Sequence, residues 1–338
     1  MRIHQTPTLY CVFTVSVFAQ SAMLQPVIGA AGYADPVPLT IAPGQLLTLF
    51  VPSFGSTLTG PVKAPPGPLP TSLAGISAVL RQGSDQPLPI FEVQPSSTCS
   101  TESPPPANSC GSTLAVTVQI PFNIQTVCPL CERPISLVPS QIAVSVNGVT
   151  GPFADLTALA DQVHFLTACD VVMPGSASVH SSSALPCAAM VTHADGKLVS
   201  ATNPAKSGEE LVAYATGLGQ TNPPLTGGQA STTGVPTLTV FAIDFNYRPN
   251  ALATKPLGPS LSGGVSPSQA PLYTGATPGF VGLYQINFIV PPAPTGLPPC
   301  VDVNSTAPYA NVVQSNLTVS VGSIFSFDGA GICVQPGR

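Results

Sequence analysis

The sequence predicts an all-β protein built from two tandem immunoglobulin-like β-sandwiches and stapled by disulfides. Three observations carry that expectation: short apolar alternations bounded by turn residues, an internal repeat, and an even set of cysteines behind an export-type N-terminus. The composition agrees. Only 7% of the 338 residues are charged, against about 25% in an average soluble domain. Long exposed helices, which lean on Glu, Lys and Arg, are therefore disfavoured. Lys and Arg total 9 against 14 Asp and Glu, a net charge of −5, which excludes a nucleic-acid partner, since phosphate binding needs clustered cations. The 41 prolines and 30 glycines imply many turns, and the 44% hydrophobic content supplies a core.

Taken in chain order, residues 1–19 read as a signal peptide. Met1-Arg2 supplies positive charge and the apolar run LYCVFTVSVFA follows. Val17-Phe18-Ala19 then has the small-x-small form that precedes cleavage, here between Ala19 and Gln20. At about 11 residues the run is too short to span a bilayer, so the expected location is outside the cell or on its surface, with no membrane span. Residues 20–36 are assigned to a linker, 37–160 to a first sandwich and 161–338 to a second. Period-two alternation predicts strands over 45–51, 76–81, 114–120, 141–146, 210–214, 237–243, 283–289 and 316–321. Segments 190–193 and 197–200 flank Ala194-Asp195-Gly196, the pattern of a hairpin with Asp-Gly at its bend. Residues 153–161 (FADLTALAD) alone have a spacing that allows two helical turns.

With Cys11 removed in the signal, eight cysteines remain: Cys99, Cys110, Cys128, Cys131, Cys169, Cys187, Cys300 and Cys333. An even number in an exported chain reads as a disulfide framework, although spacing alone does not determine its connectivity. Their grouping suggests Cys99–Cys110, Cys128–Cys131, Cys169–Cys187 and Cys300–Cys333. Cys128-Pro-Leu-Cys131 has redox or zinc spacing, but no second such pair and no βαβ pattern accompany it. A loop staple is the better reading.

The repeat has three blocks in the same order. APGQLLTLFVPSFG (42–55) aligns without gaps on KSGEELVAYATGLG (206–219), so that Gly44 matches Gly208, Leu47 matches Leu211 and Phe50 matches Tyr214. VTVQIPF (116–122) resembles QINFIVPP (285–292), each strand ending at proline, and SQIAVSVNG (140–148) resembles SNLTVSVGS (315–323). Two copies of a unit with six to eight short strands describe a tandem of sandwiches rather than a solenoid.

The second copy also resembles a known family. Asn203-Pro204-Ala205, Gly208-Glu209, Tyr214-Ala215-Thr216-Gly217-Leu218-Gly219 and Pro278-Gly279-Phe280-Val281-Gly282-Leu283-Tyr284-Gln285 are similar to the hallmarks of the Solibacter-type uncharacterised C-terminal domain of exported acidobacterial proteins. The similarity runs from about Cys187 to Val334. In the first copy Ser53-Phe54-Gly55 replaces the Gly-Leu-Gly turn. The resemblance implies a β-sandwich on an exported protein and brings no catalytic residues with it. Read physically, Gly217 and Gly219 permit positive φ at a sharp turn, and Tyr214 and Tyr284 are expected in the core or at a corner with backbone partners.

The residues that bear chemistry are sparse. Beyond the signal the histidines are His164, His180 and His193. Ser182, His193 and Asp195 compose a conceivable triad, but without a G-x-S-x-G elbow, and His193 and Asp195 flank a bend. Glu209 and Glu210 are adjacent, so on a strand they face opposite ways. His164 reads as the solvent face of a strand. No spacing suggests a zinc or calcium site, and no cofactor is expected. The long segment 245–278 carries Tyr247, Arg248, Asn250 and Tyr273, a set suited to stacking on sugars or anchoring a protein. The expected role is non-enzymatic: a secreted or cell-surface structural or adhesive protein that meets an envelope or extracellular protein or its own copies. The alternative is a polysaccharide-binding module using the 245–278 loop through Tyr247, Arg248 and Tyr273.

Overall fold

The computed structural model describes residues 27–29, 40–52, 56–98, 111–127, 139–167, 189–247, 269–302, 313–322 and 327–336. Among them there is no helix. The chain is all-β, as its alternations predict. In the first sandwich one sheet runs in the order Val27–Gly29, Leu46–Pro52, Gly111–Gln119, Ile90–Thr98, Val62–Lys63. The other runs Thr40–Ile41, Ala154–Ala158, Ser140–Val146, Ile76–Gln82, Ser72–Leu73. Leu47 and Leu49 from the first sheet meet Ile76, Leu80, Ile142 and Val144 from the second in one core. Each such side chain, once fully buried, contributes about 1.5–3 kcal/mol. The outer face of Leu46–Pro52 is covered as well, and there the buried hydroxyls of Thr48 and Thr117 pair across the strands at 2.9 Å.

The second sandwich repeats this plan. Its larger sheet runs His164–Phe165, Glu210–Thr216, Tyr284–Ile289, Tyr273–Ala276, Val235–Pro236, and its smaller one Ile243–Asn246, Leu317–Gly322, Phe327–Ile332. The repeat is kept residue by residue. Leu46 pairs with Gln119 where Glu210 pairs with Ile289, and Ile76 pairs with Val146 where Ile243 pairs with Val321. Even the closing parallel contact recurs: Ile41 lies beside Ala158, and Ala205 bridges Val334 in parallel. The amides of Leu159 and Gln335 then bond the carbonyls of Ile41 and Ala205, both at 2.8 Å. Two tandem immunoglobulin-like sandwiches are thus present, and Cys300–Cys333 joins the Val334 end of the second to the segment after Tyr284–Ile289, with Cα atoms 5.4 Å apart. The other six expected disulfide cysteines, Cys99, Cys110, Cys128, Cys131, Cys169 and Cys187, lie outside the described residues.

Several expectations are corrected. Residues 153–161 are no helix: Ala154–Ala158 is a strand whose burial alternates strictly, because Ala154, Leu156 and Ala158 face the core while Asp155 and Thr157 do not. The 237–243 run splits into Val235–Pro236 on one sheet and Ile243–Asn246 on the other, leaving Leu238 and Val240 exposed between them. His164 is buried rather than solvent-facing, because both faces of the short strand His164–Phe165 are covered and not only the one that Phe165 presents. Tyr214 stands on the half-exposed outer face of its strand; Tyr284 alone of that pair is core. Val27–Gly29, inside the assigned linker, pairs with Leu46–Pro52 as an edge strand.

Candidate functional site: the seam between the sandwiches

Gly44 opens the seam. It takes a left-handed φ of +73° at the tight turn before Leu46–Pro52, and its amide bonds the Ile120 carbonyl at 3.0 Å. A side chain at Gly44 would run into the Phe122 ring and the Tyr284 hydroxyl. Phe122 follows the strand-ending Pro121 of the first sandwich, yet its ring is buried in the core of the second, beside Tyr284. That tyrosine, fully buried, donates to the Gly219 carbonyl at 2.6 Å, and burial pushes its hydroxyl well above the ordinary tyrosine range. Gly282 approaches Leu46 in the same closely packed way.

Polar groups lock the contact. Gln119, 1% exposed, accepts from the Gly228 amide at 2.6 Å through its carbonyl oxygen. The Leu69 amide reaches back to the Gly228 carbonyl at 2.7 Å, and Gln220 donates to the Phe122 carbonyl at 3.2 Å. Buried amides paired this fully define a fixed geometry, since each one left unpaired would cost about 1–3 kcal/mol. Residues 159–163, which connect the two sandwiches, are gripped too. Gly217 and Gly219 have the expected positive φ, +75° and +85°, and their missing side chains leave room for the Gln162 and Ala160 carbonyls. The Gln162 amide also bonds the Gly217 carbonyl at 2.7 Å.

Beside the seam lies a cleft of about 830 Å³ walled by both sandwiches. Its polar wall combines the carboxamides of Gln86, Asn123, Gln220 and Asn222 with Thr71, Thr221 and Thr226, and Gln86 donates to Asn123 at 3.3 Å. Its apolar wall includes Pro89, Pro121, Pro224, Leu225 and Leu238. Among the described residues no charged side chain lines it.

The two tyrosines singled out in the sequence are elsewhere. Tyr273 sits on the strand Tyr273–Ala276, not in a loop, and its hydroxyl donates to the Ala276 carbonyl at 3.2 Å. Tyr247 follows Ile243–Asn246 on the facing sheet, packs against the core and donates to the Pro291 carbonyl at 2.6 Å. Burial pushes its hydroxyl up to about 12. The two tyrosines are therefore divided between sheets, each with its hydroxyl already engaged by backbone. Arg248, Asn250, His180 and Ser182 lie outside the described residues.

His193 closes the expected hairpin, in which Gly196 has φ +80° and Asp195 accepts from the Lys197 amide at 3.0 Å and ammonium at 2.7 Å. The imidazole contacts Glu209 Oε1 at 2.5 Å through Nδ1 and the Asn203 carbonyl at 3.1 Å through Nε2. Partial burial works against the charged ring, but the Glu209 carboxylate and the Asn203 carbonyl outweigh it and hold the His193 pKa above its ordinary value. For Glu209 burial again opposes charge, and His193 with the Lys206 amide overcomes it, so its pKa lies below the usual carboxylate value. This clamp fastens hairpin to sheet. Glu210 points away from it and accepts from Asn287 at 3.2 Å. Among the described residues no group of three or more His, Cys, Asp or Glu could hold a metal ion.

Sequence reasoning missed Gly44, Gln119, Phe122, Gln220 and Gly228 as a set. One signal was available: aligning the strand-ending prolines sets Gln119 against Ile289 and Phe122 against Pro292, departures from the repeat where the copies touch. No family model matches the chain. No curated protein matches it. A solved structure titled "Anomalous substructure of Titin-A168169" aligns over 89% of this chain and 95% of its own, at 10% identity and a TM-score of 0.17.

Proposed function

We propose that the chain is a secreted or cell-surface, non-enzymatic structural or adhesive protein whose two sandwiches act as one rigid body. The observation that carries this reading is the seam: a buried Gln119–Gly228 bond, Phe122 seated in its neighbour's core, and a linker gripped at Gly217 and Gly219. An adhesive or structural element gains from such rigidity, because surfaces on both sandwiches meet a partner without a further ordering cost. The signal-like N-terminus, the low charge and the resemblance of the second copy to domains of exported proteins support export.

The test uses purified residues 20–338, cell envelopes and light scattering after size exclusion. Saturable retention on envelopes, or concentration-dependent self-association, is the expected result. A monomer that stays in the supernatant at all concentrations overturns the reading.

A further inference from the structure

We propose that the cleft between the sandwiches is a binding site for an uncharged oligosaccharide. The inference deepens the adhesive reading, on which it rests, by naming what the surface would hold. It also moves sugar recognition away from segment 245–278, where the Tyr247 and Tyr273 hydroxyls are engaged by backbone carbonyls.

Size comes first. About 830 Å³ falls within the range of small-ligand sites. Charge is the next constraint: with no ionic side chain among the described lining residues, a uronate, a sulfated sugar or a phosphate would lose hydration there and find no countercharge. The polar side chains present are the carboxamides and the hydroxyls of Thr71, Thr221 and Thr226, each able to donate and accept at once. A sugar hydroxyl has the same dual character. Gln86 and Asn123 form one pair at 3.3 Å that still leaves a carbonyl oxygen on Gln86 and an amide hydrogen on Asn123 for a ligand, and Asn222 is exposed on the other sandwich. The apolar wall, with Leu238 59% exposed, offers a surface for the C–H face of a pyranose.

The same lining argues against an extended peptide. Pro87, Pro89, Pro121 and Pro224 have no N–H, so an added strand would find too few backbone donors for a ladder. The seam adds preorganisation, because the walls are fixed to each other by buried bonds before any ligand arrives.

Calorimetric titration of residues 20–338 with cellohexaose, laminarihexaose, maltohexaose, xylohexaose and mannohexaose tests the site, with hexagalacturonate and a decaproline peptide as counter-probes. Binding of at least one neutral hexasaccharide and of neither counter-probe is expected. Asn222→Ala and Asn123→Ala, both at exposed positions, should each weaken it roughly 3- to 10-fold, the loss of one hydrogen bond, with unchanged far-UV circular dichroism. Gln220 is left intact because it also holds the seam. Tyr247→Phe and Tyr273→Phe should bind like the parent. No binding of any neutral sugar at millimolar concentration overturns the proposal, as does binding that ignores both cleft variants or a preference for decaproline. Envelope retention with no sugar binding would remove this site and leave the adhesive reading standing. Cleft-dependent sugar binding by a protein that neither adheres to envelopes nor self-associates would do the reverse.

Discussion

Gly44 and Gly208 occupy the same place in the two sandwiches and share a left-handed φ, +73° and +80°. A methyl group at Gly208 would meet nothing within 4 Å, whereas at Gly44 it would strike Phe122 and Tyr284. The next equivalences diverge the same way. Leu46 is buried where Glu210 is exposed, and Gln119 is buried where Ile289 is half-exposed. What the copies share makes the fold, and what they do not share makes the seam. A turn needs glycine in both; only one of the two also needs room for a neighbour.

The largest way to break this asymmetry is Phe122→Ala. It empties a core that belongs to the other sandwich, and about 3–5 kcal/mol of stability should be lost. Chemical denaturation followed by far-UV circular dichroism checks it, and a loss below about 1 kcal/mol would show that the ring is not seated there. Replacing Cys300 and Cys333 by Ser together should cost about 3–4 kcal/mol, the constraint of a loop of this length. If the seam couples the sandwiches, one transition moves as a whole; an early separate transition would mean they melt independently. Gly44→Ala should cost about 3 kcal/mol, from overpacking added to backbone strain, against about 1 kcal/mol for Gly208→Ala, where strain acts alone. Equal losses at the two positions would mean that Gly44, like Gly208, serves its turn alone.

The smallest effect concerns the His193–Glu209 clamp, which has no counterpart in the first copy at Gln45, the residue aligned with Glu209. The His193 pKa is raised, so its contribution is complete below the unfolded value near 6.5 and fades as pH rises through the folded one. The Glu209 pKa is lowered, so its contribution is complete above about 4.5 and fades as pH falls through the folded value. The clamp is therefore strongest between those two pH values. Denaturation midpoints from pH 3 to 9 should show a maximum there of under about 1 kcal/mol, and His193→Gln should flatten it.

Much of the fold was legible because alternation and repeat reinforce each other. Leu46–Pro52, Ser140–Val146, Glu210–Thr216 and Tyr284–Ile289 fall within a few residues of their expected runs. Ile90–Thr98 was missed because Glu92 and Pro95 interrupt its pattern, and Phe327–Ile332 because FDGAGI is short and glycine-rich. Both are strands through their neighbours' pairing rather than their own propensity. The candidate site was nearly invisible. Tyr247 and Tyr273 drew attention to segment 245–278, while the cleft is walled largely by prolines, threonines and carboxamides that read singly as ordinary turn residues. Its signal lies in which residues depart from the repeat, and that becomes informative once the register is known.

The grip on the linker bears on how copies of the chain could be mispaired. Residues 159–163 leave the first sandwich through the Leu159–Ile41 bond and enter the second through the Gln162–Gly217 bond, with the Ala160 and Gln162 carbonyls packed into the space left by two glycines. Such a connection has no slack. For two copies to exchange their second sandwiches, the linker would have to swing open, losing those bonds and withdrawing Phe122 from its seat before any partner could replace them. Domain swapping, the cheap route by which tandem modules entangle, is thus opposed by glycines whose side chains are missing.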